Sequence, residues 1–226
     1  MKIKVVLGVL SVSLFLFFCE GQSVPDKTET LPDNVIVPAQ TINLWNGKDF
    51  SGWVKFIPDS SVNTDTVWNI VNGVINCNGK PSGYIRTKND YANYKLSLEW
   101  RWVNIPGNSG VLLHLSLPDT VWPKSIEAQL LTGNAGDFYV IGGTEMAEHV
   151  NKDSRRITKQ KDSSENPLGE WNKYEIICKD NTITLFVNGV LQNKATNISV
   201  NYGKIALQSE GKPIQFKNIK LEPVDK

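Results

Sequence analysis

Apolar and polar residues alternate in short segments along most of the chain, and the most regular alternation lies between residues 94 and 131. From residue 94 to residue 102 every second position is apolar: Tyr94, Leu96, Leu98, Trp100 and Trp102. The positions between them include Glu99 and Arg101. A period of two is that of a β-strand with one buried face. This segment therefore predicts a strand whose polar side carries a carboxylate and a guanidinium.

Two further segments continue the pattern after the turn formed by residues 105–110. Residues 111–115 place Leu112 and His114 on one side, and residues 126–130 place Glu127 and Gln129 together on one side. If these three strands lie in one sheet, their polar sides share a face. We therefore expect a common hollow above a curved sheet, and its predicted lining is Glu99, Arg101, His114, Glu127, Gln129 and Gln208.

The rest of the chain predicts many more short strands and no helix of normal length. Asn72-Gly73 and Asn188-Gly189 each separate two apolar segments, and Asn-Gly supplies the positive φ angles of a tight hairpin turn. About a dozen strands with such turns indicate an all-β fold, a jelly-roll sandwich of two antiparallel sheets. Residues 116–125 and 132–170 are irregular, and long loops in a compact domain are usually functional or mobile. Within the second, the charged stretch Lys152–Lys161 is interpreted as a solvated loop.

Composition narrows the range of partners. The chain has 226 residues, enough for one large all-β domain or two small ones. With 24 Lys and Arg against 23 Asp and Glu, it lacks the basic surplus typical of nucleic-acid binding. Two histidines alone cannot form a histidine-rich metal site, and no Cys/His spacing suggests zinc. Cys77 and Cys178 are predicted to be buried free thiols, with a disulfide between them as the alternative.

The N-terminus has the pattern of a targeting segment. Lys2 and Lys4 precede an apolar run over residues 5–18, which is too short to span a bilayer comfortably and matches a secretory signal. Cys19 follows directly, as in bacterial lipoproteins, where that cysteine is lipidated, although Phe18 stands where that signal usually has a small residue. A signal that is simply cleaved, or one retained as a membrane anchor, is the alternative.

These features divide the chain into three parts. We predict an export signal over residues 1–18, a flexible tether over residues 19–38 and one domain over residues 39–226. The expected location is the bacterial cell envelope, facing the periplasm or on the cell surface. The chain would contact the membrane through the lipid anchor.

An ordered set of motifs resembles one known family. The motifs are Leu44-Trp-Asn-Gly-Lys-Asp-Phe-Ser-Gly-Trp53, Leu98-Glu-Trp-Arg101, Gly107-Asn-Ser-Gly110, Ile126-Glu-Ala-Gln-Leu130, Gly169-Glu-Trp-Asn-Lys-Tyr-Glu175 and Ile205-Ala-Leu-Gln208. Together they are similar to the 3-keto-disaccharide hydrolase family (domain of unknown function 1080) over residues 40–223. The resemblance implies a concanavalin A-like jelly roll in an exported bacterial protein that hydrolyses glycosides whose C3 hydroxyl has been oxidised to a ketone. The chain departs from it at Ser209-Glu210, where many members have Asp-His.

The implied reaction needs a base that removes the acidic C2 proton, an acid for the leaving group, and donors at the ketone oxygen. From the strand pattern and the family motifs, Glu127 is the candidate base and His114 the candidate acid. Glu99 and Glu210 are further carboxylates that could share the cleft. Three more side chains are candidates to hold the ketone and the hydroxyls: Arg101, Gln129 and Gln208.

Loop residues add four candidates for substrate contact: Asn108, Trp122, Asn134 and Asp137. Trp122 offers a flat apolar face to a sugar ring, and Asn108 lies in a turn whose amides could line the cleft. Asn134 and Asp137 lie in a glycine-rich loop that contains Gly133 and Gly136. They either contact substrate or a cation, or cap that loop. No cofactor follows from the sequence, and a bound divalent cation is left open.

The expected partner is an oligosaccharide or glycoside. Two alternatives to a 3-keto-glycoside hydrolase are kept. One is an ordinary glycosidase with paired carboxylates, and the other is a non-catalytic carbohydrate-binding module.

Overall fold

β-Strands make up almost all of the regular structure in residues 30–224, the part of the chain that the computed structural model describes. In chain order they are β1 Val35–Ile36, β2 Ile42–Asn43, β3 Trp53–Phe56, β4 Trp68–Val71, β5 Val74–Cys77, β6 Gly83–Thr87, β7 Asp90–Tyr91, β8 Tyr94–Trp102, β9 Gly110–Leu115, β10 Ser125–Gln129, β11 Phe138–Ile141, β12 Arg156–Ile157, β13 Asn172–Lys179, β14 Thr182–Val187, β15 Val190–Ala195, β16 Lys204–Ser209 and β17 Ile214–Pro223. A 3-10 turn at Thr64–Thr66 precedes β4. No helix within the described residues is long and apolar enough to cross a membrane.

Fifteen of the described strands form two antiparallel sheets that pack on each other, and β1 and β7 form a separate pair. The front sheet has seven strands in the order β12-β11-β10-β9-β16-β6-β3. The back sheet has eight, with β15-β14-β13-β8-β17-β5-β4 in order and β2 beside β17. Strands far apart in sequence, such as β9 and β16, are neighbours, as in a jelly roll. The predicted all-β sandwich of two antiparallel sheets is confirmed.

Alternation within each strand produces the core between the sheets. Leu98 and Trp100 of β8, in the back sheet, belong to one buried cluster with Val111 of β9, in the front sheet. Each such large apolar side chain stabilises the fold by about 1.5–3 kcal/mol when fully buried. Cys77 and Cys178 lie in the same cluster as free thiols. The prediction of buried free thiols is confirmed.

The predicted hollow does not form as expected, because β8 and the pair β9 and β10 belong to different sheets. The apolar sides of all three strands meet in the core between the sheets. The polar side of β8, which carries Glu99 and Arg101, therefore faces outward from the back sheet. Glu127 of β10 faces outward from the front sheet, on the opposite side of the molecule. A period of two identifies the two faces of a strand, and it does not identify the sheet that the strand joins.

A second, smaller hydrophobic cluster covers part of the outer face of the front sheet. Its buried members are Tyr84, Leu112, Leu115, Ile141 and Ala206. The front loop, residues 116–124 between β9 and β10, is fastened to this cluster through Asp119. That carboxylate accepts hydrogen bonds from the Tyr84 hydroxyl at 2.8 Å and from Nε and Nη2 of Arg86 at 2.7 Å each. Asp119 therefore fastens the front loop to the outer face of the front sheet.

The first described strand, β1, lies within the stretch that the sequence interprets as a tether. Val35 and Ile36 pair in parallel with Asp90 and Tyr91 of β7. The C-terminal end of that stretch is thus attached to the domain. The predicted export signal and Cys19 lie outside the described residues.

Candidate active site

Strand β10 brings Glu127 and Gln129 to the outer face of the front sheet. Across the ladder, Glu127 is opposite Leu112 of β9 and Tyr139 of β11, and Gln129 is opposite Gly110 of β9. Residues that pair across strands point to the same face. These positions therefore form one patch beside the smaller hydrophobic cluster.

Gly110 leaves the space in which two side chains of this patch meet. A Cβ atom at residue 110 would lie 2.6 Å from Oε1 of Gln208, in β16, and closer still to Oε1 of Glu127. Any larger residue would push the carboxyl and the amide away from their present positions. Glycine at this position therefore lets Glu127 and Gln208 approach each other above β9.

A cavity of about 120 Å³ opens at this patch. Its lining residues are Asn108, Trp122, Glu127, Gln129, Leu131, Tyr139, Ile141, Arg155 and Glu210. The backbone of Asn108 is bridged to that of Glu210, which joins the turn before β9 to the end of β16. Trp122 belongs to the front loop and is 44% exposed. The cavity thus combines two carboxyls, the guanidinium of Arg155 and an accessible aromatic ring.

Two larger depressions lie elsewhere on the molecule, with volumes of about 320 and 580 Å³. Glu165 is the single acidic residue in the lining of the first, and Glu99 is the single acidic residue in that of the second. Acid–base chemistry on a substrate uses two groups with different protonation states. The smaller cavity, which contains both Glu127 and Glu210, is therefore the better candidate for an active site.

The two carboxyls of the cavity have different environments. Glu127 is 4% exposed, and burial together with the charge of Glu210 raises its pKa to about 8, while Arg155 acts in the opposite direction. Burial also raises the pKa of Glu210, against a hydrogen bond from Asn108 and the charge of Arg155. Glu210 is the less buried of the two, so it ionises first and Glu127 keeps its proton at neutral pH. A carboxylic acid and a carboxylate in one cavity provide an acid and a base.

Several buried polar atoms of the site have no hydrogen-bond partner among the described residues: Oε1 of Glu127, Oδ1 of Asn108, and Oε1 and Nε2 of Gln208. Buried polar groups in native proteins are normally paired. These atoms are therefore available to a ligand that carries hydroxyl groups. Gln129 differs, because its Oε1 accepts hydrogen bonds from the backbone N–H groups of Leu130 and Leu131 at 2.8 Å each, which fixes its orientation.

Of the eleven residues proposed from the sequence for catalysis and binding, the structure brings six together here. They are Asn108, Trp122, Glu127, Gln129, Gln208 and Glu210. Their predicted roles stay predictions, since their position alone does not test them.

The prediction that Glu99 and Arg101 share this site is wrong. Both lie on the outer face of the back sheet, where Arg101 donates from Nε to Gln215 Oε1 at 2.7 Å and stacks on Trp171 at 4.6 Å. Glu99 accepts a hydrogen bond from Asn218 at 2.6 Å and pairs with a lysine of β17. These contacts join neighbouring strands and loops of the back sheet, which is a structural role.

The prediction that His114 faces the cavity is also wrong. His114 has a φ of 54°, and the pairing of β9 with β16 shifts by one residue beside it, between Lys204 and Ala206. Such a β-bulge interrupts the alternation of faces. The ring is fully buried, lies edge-on to Tyr94 of the core at 5.9 Å, and makes a hydrogen bond through Nδ1 to the carbonyl of Val200 at 2.8 Å. Burial lowers the pKa of His114 to about 4, so a neutral imidazole that faces the core replaces the predicted acid.

Asn134 and Asp137 form hydrogen bonds with a residue of β12 and with one in the segment after it. Asp137 accepts a hydrogen bond from Arg156 Nε at 2.7 Å and one from the backbone N–H of Lys159 at 2.8 Å. Asn134 accepts from Nη2 of the same arginine at 2.9 Å. The structural alternative fits these two residues, and neither lines the cavity. In residues 30–224 no group of three or more His, Cys, Asp and Glu side chains could hold a metal ion.

Arg155 and Tyr139 also line the cavity, and the sequence pattern does not predict either of them as a site residue. Tyr139 lies on β11, which was assigned to an irregular region because only four residues form the strand. Arg155 lies in the charged stretch that was interpreted as a solvated loop. The sequence does contain one indication of this. Arg155 and Arg156 stand directly before Ile157, and neighbouring side chains of an extended segment point to opposite faces, so the two guanidinium groups are expected to have different surroundings.

Comparisons with known proteins agree with this architecture. A family model described as the 3-keto-alpha-glucoside-1,2-lyase-like domain matches residues 40–222, which confirms the resemblance seen in the motifs and supports a carbohydrate-active protein. Among curated proteins none matches significantly.

Solved structures share the fold at low sequence identity. A protein of Parabacteroides distasonis assigned to the glycosyl hydrolases has a TM-score of 0.61 and 23% identity over 86% of this chain and 100% of that one. The β-glucanase of Bacillus licheniformis has a TM-score of 0.53 and 14% identity over 82% and 99% of the two chains. The carbohydrate-binding module CBM66 of Bacillus subtilis has a TM-score of 0.53 and 10% identity over 75% and 94%. These likenesses establish the concanavalin A-like sandwich.

Proposed function

Because the chain belongs to the 3-keto-alpha-glucoside-1,2-lyase-like domain family, we propose that it hydrolyses the glycosidic bond of 3-keto-glycosides by elimination and hydration. The observation that supports this most directly is the pair Glu127 and Glu210 in one cavity, with the pKa of Glu127 raised to about 8. Perturbed carboxyls in a cavity are typical of sites of proton transfer. Elimination beside a ketone is a sequence of such transfers.

The reaction begins at C2, where the neighbouring ketone makes the hydrogen acidic. A base removes that proton, the C–H electron pair forms a double bond between C2 and C3, and the C3 oxygen becomes an enolate. The ketone then re-forms as a C1–C2 double bond develops and the bond from C1 to the glycosidic oxygen breaks. An acid protonates the departing oxygen. Addition of water across C1 and C2 gives a free 3-keto sugar, so the net reaction consumes one water and releases one alcohol.

The base is assigned to Glu210 and the acid to Glu127, which reverses the role predicted for Glu127 from the sequence. At neutral pH a carboxyl with a pKa of about 8 is mostly protonated and can donate a proton to the leaving oxygen. Glu210 is less buried, ionises first and can accept the C2 proton. Unpartnered atoms of Asn108 and Gln208 provide hydrogen bonds for hydroxyl groups, and Trp122 provides a face for a sugar ring.

The first experiment compares a 3-keto-disaccharide with its unoxidised parent. Release of free sugar from the oxidised compound alone is the expected result. Release from the parent alone would point to an ordinary glycosidase. Tight binding of either compound without release would point to a carbohydrate-binding module and would contradict the proposal.

A second experiment separates the acid from the base through the leaving group. With a sugar leaving group, Glu127→Gln should slow cleavage by about 100- to 10,000-fold, the usual contribution of a general acid. With 4-nitrophenolate, which departs without a proton, the same variant should lose little. Glu210→Gln should lose activity on both substrates, because both need the base. Glu170→Gln, which removes an exposed carboxyl outside the cavity, is the matched control.

An equal loss on both substrates for Glu127→Gln would overturn this assignment. It would favour Glu127 as the base, as the sequence alone predicts. Full activity in Glu210→Gln would exclude Glu210 from proton transfer.

An ordinary glycosidase is the second candidate, because two carboxyls with separated pKa values also serve that reaction. The comparison of the two disaccharides decides between the candidates. The fold alone does not, since glucanases and a carbohydrate-binding module share it.

Export and lipidation at Cys19 complete the proposal, supported by the basic and apolar pattern before that residue. Metabolic labelling with a fatty acid should mark the wild-type protein in the membrane fraction. Cys19→Ser should lose the label and move to the soluble fraction. A wild-type protein without label would leave the cleaved signal as the better explanation.

A further inference from the structure

Two adjacent arginines at the edge of the front sheet have different surroundings. Arg156 has two partners: its Nε donates to Asp137 and its Nη2 donates to Asn134. Asp137 is completely buried, so this ion pair anchors the segment around β12 to the glycine-rich loop. The backbone carbonyl of Arg155 accepts a hydrogen bond from the N–H of Val140 at 3.0 Å, which holds residue 155 beside β11.

The side chain of Arg155 is free of such contacts. Its guanidinium makes no hydrogen bond or ion pair with the described residues, and it lines the cavity with Glu127 and Glu210. Among the described residues of that lining, it is the one that carries a positive charge. Arg156 and the Val140 contact thus hold an unpaired guanidinium at the cavity from an anchored backbone.

We propose that the Arg155 guanidinium binds the C3 ketone oxygen of the substrate and stabilises the enolate oxygen that forms there. The inference rests on the proposed function and adds to it the group that replaces Arg101, which lies on the other side of the molecule. A planar guanidinium with its fork of N–H donors suits an oxygen that gains negative charge. It transfers no proton: the C2 proton goes to the base, the C–H electron pair forms the C2–C3 double bond, and the π pair of the carbonyl moves to the C3 oxygen that Arg155 holds.

A different role must be separated from this one. Arg155 could merely offset the charges of Glu127 and Glu210, whose pKa values it lowers. In that case its removal would move the pH–rate profile to higher pH, and the maximal rate would be kept. A group that stabilises the enolate instead lowers the maximal rate at every pH.

The experiment measures kcat and KM for a 3-keto-disaccharide across pH in three variants. Arg155→Met should lower the maximal kcat by about 100- to 1,000-fold, the usual effect of losing one oxyanion donor. Arg155→Lys should keep part of the activity, because it retains the charge and loses the fork of donors. Lys161→Met removes one positive charge from an exposed side chain in the same segment, and it should leave kcat unchanged. Added guanidinium chloride should restore part of the activity of Arg155→Met.

The outcomes are distinct. If the wild type cleaves the substrate and Arg155→Met keeps its maximal kcat with only a shifted profile, the role of Arg155 is overturned and the proposed function stands. If the wild type does not cleave the 3-keto-disaccharide, both are overturned. Circular dichroism and thermal unfolding of Arg155→Met check that a loss of kcat does not come from a loss of fold.

Discussion

Replacing Glu127 with glutamine should stabilise the protein by an amount that grows with pH. Burial raises the pKa of this carboxyl from 4.5 to about 8. The folded state therefore holds the proton more tightly than the unfolded chain does. Below pH 4.5 both states are protonated and the group has no effect on the free energy of unfolding. Between pH 4.5 and pH 8 the unfolded chain releases the proton while the folded protein keeps it, so stability falls as pH rises.

The size of the effect follows from the shift. Each pKa unit corresponds to about 1.4 kcal/mol of free energy of unfolding. The raised pKa of Glu127 therefore lowers the stability of the folded protein by about 5 kcal/mol above pH 8 and by about 3 kcal/mol at pH 7. Glutamine has nearly the same shape and never ionises. Its amide can also pair with the buried atoms of Gln208 that have no partner. The variant should therefore lose the pH-dependent cost without leaving a cavity.

Urea unfolding, followed by tryptophan fluorescence at fixed ionic strength from pH 4 to pH 9, measures the difference between variant and wild type. The difference should be small near pH 4, rise by about 1.4 kcal/mol per pH unit and level off near pH 8. Glu170→Gln, at an exposed position, should give a flat difference. A flat difference for Glu127→Gln as well would refute the idea that burial governs this carboxyl.

Three further variants test the geometry of the site. Gly110→Ala should change the free energy of unfolding by about 1 kcal/mol or less, since the flexible side chains around it can move. It should nevertheless lower kcat by about 100-fold, because the added methyl group displaces Glu127 and Gln208. An unchanged kcat would argue against the role of these two residues. Trp122→Ala should weaken binding of the unoxidised disaccharide by about 2- to 10-fold in calorimetry if the ring stacks on sugar, and equal affinity would exclude stacking. Asp119→Asn should lower the free energy of unfolding by about 2 kcal/mol, since it leaves the buried Arg86 without its anion. It should also loosen the front loop, so that trypsin cleaves faster after Lys124, which is already exposed. An unchanged rate of cleavage would show that Asp119 does not hold the loop.

The fold could be predicted from the sequence because its causes are local. Alternation marks the longer strands, and Asn-Gly marks two of the tight hairpins, at Asn72 and Asn188, which both have positive φ. The partner of a strand is decided by contacts far away in sequence. The nine-residue strand β8 pairs with β13 and β17, which begin 78 and 120 residues after it, and nothing in its own pattern distinguishes that sheet from the other. This is why the pattern of β8 predicts the wrong side of the molecule for Glu99 and Arg101.

His114 shows a different limit. Its position in the alternation predicts the face of Leu112 and Glu127, and the prediction fails at one residue with a φ of 54°. A bulge depends on the pairing with β16 as much as on β9 itself, so the pattern within β9 does not reveal it. Glu127 and Gln129 were placed on one face correctly because β10 runs through them without interruption.

The chemistry of Glu127 depends on segments that lie outside its own strand. Alternation predicts that the side chain points away from the core, and such a face is usually wet, which would leave the pKa near 4.5. The front loop, the smaller hydrophobic cluster and the turn at Asn108 change this, because they cover the outer face around the carboxyl and exclude water. Asp119 fastens that loop more than 30 residues from Tyr84 and Arg86. The burial that opposes folding at high pH is the same burial that keeps the proton on the proposed acid. A variant with a loosened front loop should therefore also lose part of the pH-dependent loss of stability that Glu127 causes.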